Sequence, residues 1–394
     1  MITLEAGRER LLSAVFAVGT ERVELARAHN RVLAEGIVAA GPLPPFDSSA
    51  MDGYAVRCAE AVRGARLAVA GVAAAGGVFS DPVHPGQCVR IFTGSPLPDG
   101  TDAVVMQEDV RPVDSGKAIE FTDAPKPWEH IRFQGEDVRV GDAVLPIGHR
   151  LAPQSLGLLA ALGVGSVNVF RRPKVIIVPN GSELISPGCE RQPAQIHESN
   201  SPMLAALVEA HGGTVEVLRP PRDELAEVQQ TLRAAFGLGD VVITVGGASV
   251  GDLDLIRPAL QNLGGRTDFW KLAIKPGKPF LFGTLGEKPL LGLPGNPVSA
   301  FVTCVLLVLP TLRKMAGEQL PALRVTRETL GEELANGESR RHFFRVRTDD
   351  AGVVRLSGSQ ASHRMRGLAL ADGLVDVAPG TTVASGTQVP VIRW

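Results

Sequence analysis

Cysteine is scarce in this chain: Cys58, Cys88, Cys189 and Cys304 are four in 394 residues, far apart and without a CxxC pair. That spacing carries no signature of a zinc site or a disulfide framework and fits free buried thiols in a reducing compartment. Charge of one sign is lacking too, with 40 Lys and Arg against 42 Asp and Glu and a formal net charge of −2. Such a balance gives no reason to expect nucleic acid or an anionic membrane surface as a partner. The most apolar run after the N-terminus, residues 300–309, is too short to span a bilayer and fits a buried helix. Glu5, Arg8, Glu9 and Arg10 precede a short apolar run, unlike a signal peptide. These absences point to a cytoplasmic protein without internal repeats or low-complexity tracts.

What is present is core material: 44% of residues are hydrophobic and 21% charged, and the length suggests two to four domains. Apolar positions Leu4, Leu11, Leu12, Val15 and Phe16 predict an amphipathic helix over residues 4–18. From Arg22 to about residue 148 the pattern is of short β pieces and turns, including PLPPFDSSAMDGYAV (42–56) and QGEDVRVGD (134–142). A short helix over 153–162 and the basic FRRPK (170–174) lead into a new pattern. There strands alternate with helices: VIIV (175–178), a helix from Ser201-Pro202 to Gly212, TVEVL (214–218), and a helix capped by Asp223. Such alternation predicts a doubly wound, mostly parallel α/β domain closed by a helix over 297–315. After Gly317, FFRVRT, GVVRLSG, GLVDVAPG and TQVPVIRW predict a small β-barrel-like domain. The expected division is a linking domain (1–50 with 140–172), a small β-rich lobe (51–139), the α/β domain (173–318) and the C-terminal β domain (319–394).

Within the α/β region, three apolar runs, 241–245, 269–274 and 290–293, each end in a Gly-rich turn. Buried parallel strands present their carboxyl ends to a ligand in this way, so all three turns should open onto one crevice. Gly246, Gly247 and Gly251 let backbone approach a phosphate, and Ser249 adds a hydroxyl donor. Lys275 and Lys278 bracket Gly277 between Pro276 and Pro279, and two close cations tolerate each other best with an anion between them. Asn296 and Pro297 read as the N-cap and first position of a helix whose free N–H groups favour an oxyanion. Asp252 and Asp254 add carboxylates, which Mg²⁺ shared with phosphate oxygens would reconcile with the positive surroundings. Taken singly, each loop is also readable as turn punctuation, and Asp252 as a cap of the helix expected from Leu253.

In order and spacing, PPFDSSAMDGYAV, TGSPLPDGTDAVVMQED, GED, SNSPML, GGASVGDLD, KPGKPFLFG and LPGNPVSAF closely resemble the MoeA-type molybdopterin molybdenumtransferases, the family of the gephyrin E domain. The resemblance covers essentially the whole chain. It implies the last step of molybdenum cofactor assembly: adenylylated molybdopterin and molybdate bind, the phosphoanhydride is hydrolysed with Mg²⁺ present to release AMP, and molybdenum is placed on the dithiolene. It also implies an elongated homodimer whose active site combines the α/β domain of one subunit with the N-terminal region of the other. Possible protein partners of that pathway are the molybdopterin adenylyltransferase and downstream cofactor-handling proteins.

Carried onto this sequence, the resemblance gives Asp52, Asp137, Glu183, Asp223 and Asp254 as catalytic carboxylates, with Asp52 and Asp137 acting across the dimer. Asp252 and Asp254 would hold Mg²⁺, a Lewis acid against developing phosphate charge. Gly246, Gly247, Ser249, Gly251, Pro294, Asn296 and Pro297 would contact the pterin phosphate. Lys275, Lys278, Pro279, Ser299, Arg340 and Ser362 would receive molybdate, a tetrahedral dianion. One motif departs from the family's usual Ser-Thr-Gly-Asp-Glu-Leu: here Pro179-Asn180-Gly181-Ser182-Glu183-Leu184 keeps Glu183 but loses the Asp, and Ser182 carries no charge. Similarly, AQIHESN (194–200) has His197 for a Tyr and Glu198 for an Asp. These changes motivate an alternative, a catalytically weak or inactive molybdopterin-binding scaffold.

Overall fold

Strands rich in β-branched and leucine side chains build the central sheet: β1 (Lys174–Pro179), β2 (Thr214–Val217), β3 (Val241–Val245), β4 (Arg266–Lys271), the short β5 (Ile274–Lys275), β6 (Pro279–Leu285) and β7 (Lys288–Leu293). The structure is a computed structural model and describes residues 1–247, 255–319 and 321–394. All but β5 join one sheet in the order β2-β1-β3-β7-β6-β4, with β2, β1, β3 and β7 parallel. The chain leaves β1 for β2 on one side and returns to β3 on the other, so the strand order reverses between β1 and β3. Open α/β sheets bind ligands at the carboxyl ends beside such a point.

The two faces of the sheet follow the two-residue period of its strands. Val175, Ile177, Val241 and Ile243 point to α1 (Leu4–Ser13), α3 (Asn200–Ala210) and the long helix α6 (Pro297–Met315). Ile176, Val178 and Val242 point the other way, onto α4 (Leu225–Leu238) and α5 (Ile256–Asn262). The short helix α2 (Pro153–Ala161) lies outside this layer. α6 is apolar almost all round because it is enclosed almost all round, its most apolar window being 89% buried. One wide turn at Cys304–Val308 precedes Pro310, whose ring and missing N–H disfavour a regular turn there.

Several expectations change. Residues 269–274 do not form a buried parallel strand: β4 lies at the sheet edge and pairs antiparallel with β6, and Phe269 is buried while Trp270 is 39% exposed. The cause is a hairpin through KPGKP, which inserts β6 between β4 and β7. Since β4 still runs parallel in direction to β7, the KPGKP turn stays at the carboxyl end of the sheet. The N-terminal helix stops at Ser13, where Ala14 caps it, and Phe16 is exposed. Of the four free thiols Cys88 and Cys304 are buried, but Cys58 is half-buried and Cys189 sits exposed in the SPGCERQ loop.

Around this domain, α1 packs Leu4 and Leu11 into its core and Ile2 bonds to the backbone of Lys271 and Ala273. Residues 53–121 form a six-stranded lobe, and Thr20–Glu24 pairs with Ser166–Phe170 in a separate two-stranded sheet. At the C-terminus, β8 (Arg324–Leu330), β9 (Arg341–Thr348), β10 (Val353–Leu356), β11 (Gly373–Val377) and β12 (Gln388–Arg393) close a barrel in the order β9-β10-β8-β12-β11-β9, with an unforeseen short helix α7 (Met365–Ala369). Phe343 and Leu374 of the barrel share the core of α6, and β5 pairs in parallel with β9. That pairing docks the KPGKP loop against the barrel.

Candidate active site

At the reversal point the ends of β1, β3 and β7 are tied together by Asn180 N–H donating to the Val245 carbonyl (2.8 Å) and Gly246 N–H to the Leu293 carbonyl (3.0 Å). Gly246 has φ +83°, and a Cβ there would lie 2.7 Å from the Asn180 carbonyl oxygen, so only glycine lets the two strand ends approach this closely. Above them opens a cavity of about 660 Å³, lined by Asn180, Gly181, Gly246 and Gly247 on one side and Pro294, Gly295, Asn296 and Pro297 on the other. Glu183, His197, Glu198 and Asp223 bring polar groups to its wall. Asp223 does not cap α4; Glu224 holds that position without a side-chain bond, which leaves the Asp223 carboxylate to the cavity. Glu198 instead caps α3, accepting from the N–H groups of Asn200 (2.8 Å) and Ser201 (2.9 Å). Asn200 in turn donates to the Gly295 carbonyl (2.8 Å), fixing the turn before α6. The Asn180 amide donates back to the Val178 carbonyl (3.0 Å), so its donor serves the strand end.

A second cavity of about 610 Å³ lies between the KPGKP loop and the barrel. Lys275, Lys278, Ser299, Arg340 and Ser362 all line it, together with Gln360. The two cavities share Pro279, Asn296 and His363, so they are neighbours across a common wall. Gly277 (φ +111°) lets the loop pass under the buried Thr303, whose Cγ2 would be 2.5 Å from an added Cβ. Arg340 donates to the Ile274 carbonyl (3.1 Å), and Glu338 forms ion pairs with Lys275 and, at 3.2 Å, with Arg340. The hydrogen bond from Lys275 holds the Glu338 carboxyl below its usual range. His342, beside Lys275 in register, is 6% exposed and pushed down to about 4 by burial and then by the Lys275 charge. Asn296 occupies the N-cap position of α6, with Pro297 first in the helix, but its side chain makes no capping bond and its amide reaches the Ser362 hydroxyl (3.3 Å). The Ser362 carbonyl accepts the N–H of Val298 (3.3 Å), so part of the expected free helix terminus is already used.

Of the residues singled out in the sequence, Glu183, Asp223, Gly246, Gly247, Pro279, Pro294, Asn296 and Pro297 line the first cavity. Asp52 and Asp137 line neither. Asp52 accepts from the N–H and hydroxyl of Thr93 (2.8 Å each), which holds its carboxyl low, and Asp137 N–H donates to the Leu43 carbonyl (3.0 Å). Ser249, Gly251, Asp252 and Asp254 lie outside the described residues. Among the described residues no three His, Cys, Asp or Glu gather to hold a metal ion. Glu338, His363 and Gln360 were not foreseen. Only their nearness to Arg340 and Ser362 in sequence hinted at them.

With this geometry in hand, three family models match the chain in order: MoeA N-terminal region (domain I and II) over residues 2–163, a probable molybdopterin binding domain over 176–314, and MoeA C-terminal region (domain IV) over 327–394. A protein named molybdopterin molybdenumtransferase from Haemophilus influenzae is 40% identical over 92% of this chain and 91% of its own length. Molybdopterin molybdenumtransferase 2 from Mycobacterium tuberculosis is 38% identical over 94% of each. A solved molybdopterin biosynthesis moeA protein from Pyrococcus horikoshii is 30% identical, covers 100% of both chains and superposes with a TM-score of 0.87. Domain by domain and along its full length, the chain belongs to the MoeA family.

Proposed function

We propose that this chain is a molybdopterin molybdenumtransferase, which places molybdenum from molybdate on the dithiolene of adenylylated molybdopterin with release of AMP. The observation that carries the reading is the pair of adjoining cavities: glycine-rich strand ends in one, and in the other Lys275, Lys278 and Arg340 converging with two serine hydroxyls. The first suits a pterin phosphate held by backbone near a helix terminus. The second suits a tetrahedral dianion held by charge-assisted hydrogen bonds. On this reading their shared wall puts the oxyanion next to the other substrate. The names of relatives similar over most of the chain support molybdenum transfer to molybdopterin, and the release of AMP rests on the resemblance.

Finer points rest on the resemblance. Mg²⁺ would have to draw on Asp252 and Asp254, because Glu183 and Asp223 alone do not make a site among the described residues. Assembly as a homodimer is supported by exposed apolar side chains on the N-terminal loops that also carry Asp52 and Asp137. Phe46, Met51, Phe92, Trp128 and Phe133 are each more than a third exposed, and Trp128 and Phe133 pack with centroids 5.8 Å apart. Such a dimer would bring the two carboxylates to the partner's crevice. A cytoplasmic setting and hand-over from the adenylyltransferase to downstream cofactor-handling proteins complete the proposal.

The test is AMP release from adenylylated molybdopterin by the purified protein, with and without molybdate and Mg²⁺. Release that requires both supports the enzyme. Pterin binding without AMP under any condition favours the scaffold, a reading motivated by Asn180, whose amide is turned to the strand end, and by the uncharged Ser182.

A further inference from the structure

Two of the cations that converge on the second cavity already carry an anion, Glu338, which sits against them from outside the cavity's lining. Glu338 reaches Lys275 with one carboxylate oxygen and Arg340 with the other, so one side chain engages two of the three cations assigned to the oxyanion. We propose that Glu338 is an internal counter-anion which the incoming oxyanion must displace, and that this competition tunes which oxyanions the cavity accepts. The proposal rests on the oxyanion reading of Lys275 and Arg340 given above.

Displacement is structurally simple. The turn that carries Glu338 is built by Asn336, which is 2% exposed and donates to the carbonyls of Arg340 (2.8 Å), Val377 (2.9 Å) and Ala378 (3.1 Å), while its own oxygen accepts the Glu338 N–H (3.2 Å). Backbone therefore stays in place while the Glu338 side chain, 42% exposed, swings into solvent. Arg340 remains oriented by its separate bond to the Ile274 carbonyl. Lys275 remains oriented by the pairing of β5 with β9.

The charge arithmetic makes the exchange selective. A monoanion replaces one negative charge by another and gains little Coulomb energy between the same cations. A dianion of molybdate geometry leaves the cavity one unit more negative against Lys275, Lys278 and Arg340, and gains from all three. A carboxylate at this position therefore acts as a threshold that common monoanions fail to cross. Neutral His342 behind Lys275 adds no fourth cation that would lower the threshold.

The experiment titrates the full-length protein with molybdate, and separately with perrhenate, a tetrahedral monoanion, by calorimetry in native, Glu338→Gln and Glu338→Asp forms. Two exposed ion pairs correspond to roughly a three- to ten-fold change in affinity. The expected result is molybdate binding tighter by that factor in Glu338→Gln, perrhenate binding measurable only in Glu338→Gln, and near-native behaviour in Glu338→Asp. Unchanged or weaker molybdate binding in Glu338→Gln, with native protein binding normally, overturns the counter-anion alone. Should native protein fail to bind molybdate and Lys275→Ala behave identically, the oxyanion reading of the cavity falls, and this proposal with it.

Discussion

Gly277→Ala is the substitution whose cost can be worked most directly. Gly277 has φ +111°, a region that L side chains rarely adopt, and holding alanine there costs about 1–3 kcal/mol. Its Cβ would sit 2.5 Å from Cγ2 of Thr303 and 3.2 Å from Cδ1 of Ile274. Thr303 cannot turn away easily, being fully buried with its hydroxyl donating to the carbonyls of Ser299 (2.8 Å) and Ala300 (3.1 Å). Combined with overpacking, the cost is about 2–4 kcal/mol unless the KPGKP loop lifts off α6. Lifting the loop carries Lys275 and Lys278 away from Ser299 and Ser362. Calorimetry should then show molybdate affinity reduced by about ten-fold or more, and the thermal midpoint should fall by roughly 5–10 °C. Adding Thr303→Ser removes the clashing methyl and should recover the packing share but not the backbone share. Native affinity with a native midpoint in Gly277→Ala would refute the claim that this glycine sets the loop.

Other outcomes follow from the same geometry. Lys275→Ala removes one charge-assisted contact and should weaken molybdate binding by about ten-fold or more, leaving pterin binding in the adjoining cavity intact, as separate titrations would show. Glu198→Ala deprives α3 of its cap; about 1–2 kcal/mol of local stability should be lost, seen as faster amide exchange at Asn200 and Ser201. His342 is held neutral in the fold at about 4 against an ordinary value near 6.5, so the unfolded chain takes up a proton first as pH falls. Its contribution is therefore complete above about pH 6.5 and lost between there and about pH 4, the loss being about 2 kcal/mol at pH 5. Denaturant midpoints at pH 7.5 and 5 should differ less in His342→Leu than in the native chain.

The α/β layer was largely legible because its strands are short continuous apolar runs and its helices carry Pro and Gly at their ends. VIIV, TVEVL and VVITV became β1, β2 and β3, and the closing helix appeared over residues 297–315. The edge was misread since an alternating run such as DFWKLAI looks equally apolar whether its partner is parallel or antiparallel, and the hairpin through KPGKP has no short turn signature. Asp223 looked like a cap because cap and cavity carboxylates share the same residue type. Glu338 escaped notice for a different reason: its one mark in sequence is Arg340 two residues on, and only the register of β5 on β9 brings it to Lys275, 63 residues away. His363 likewise gains meaning only where two cavities meet.

On the proposed reading the two cavities work as one site, with the oxyanion in one delivered to the pterin in the other. The most direct test measures, in a single incubation of protein, adenylylated molybdopterin, molybdate and Mg²⁺, the AMP released and the molybdenum carried by the pterin product. One molybdenum for each AMP is expected, with both lost together in Lys275→Ala. AMP released at the native rate without molybdenum on the pterin, or in the absence of molybdate, would contradict it.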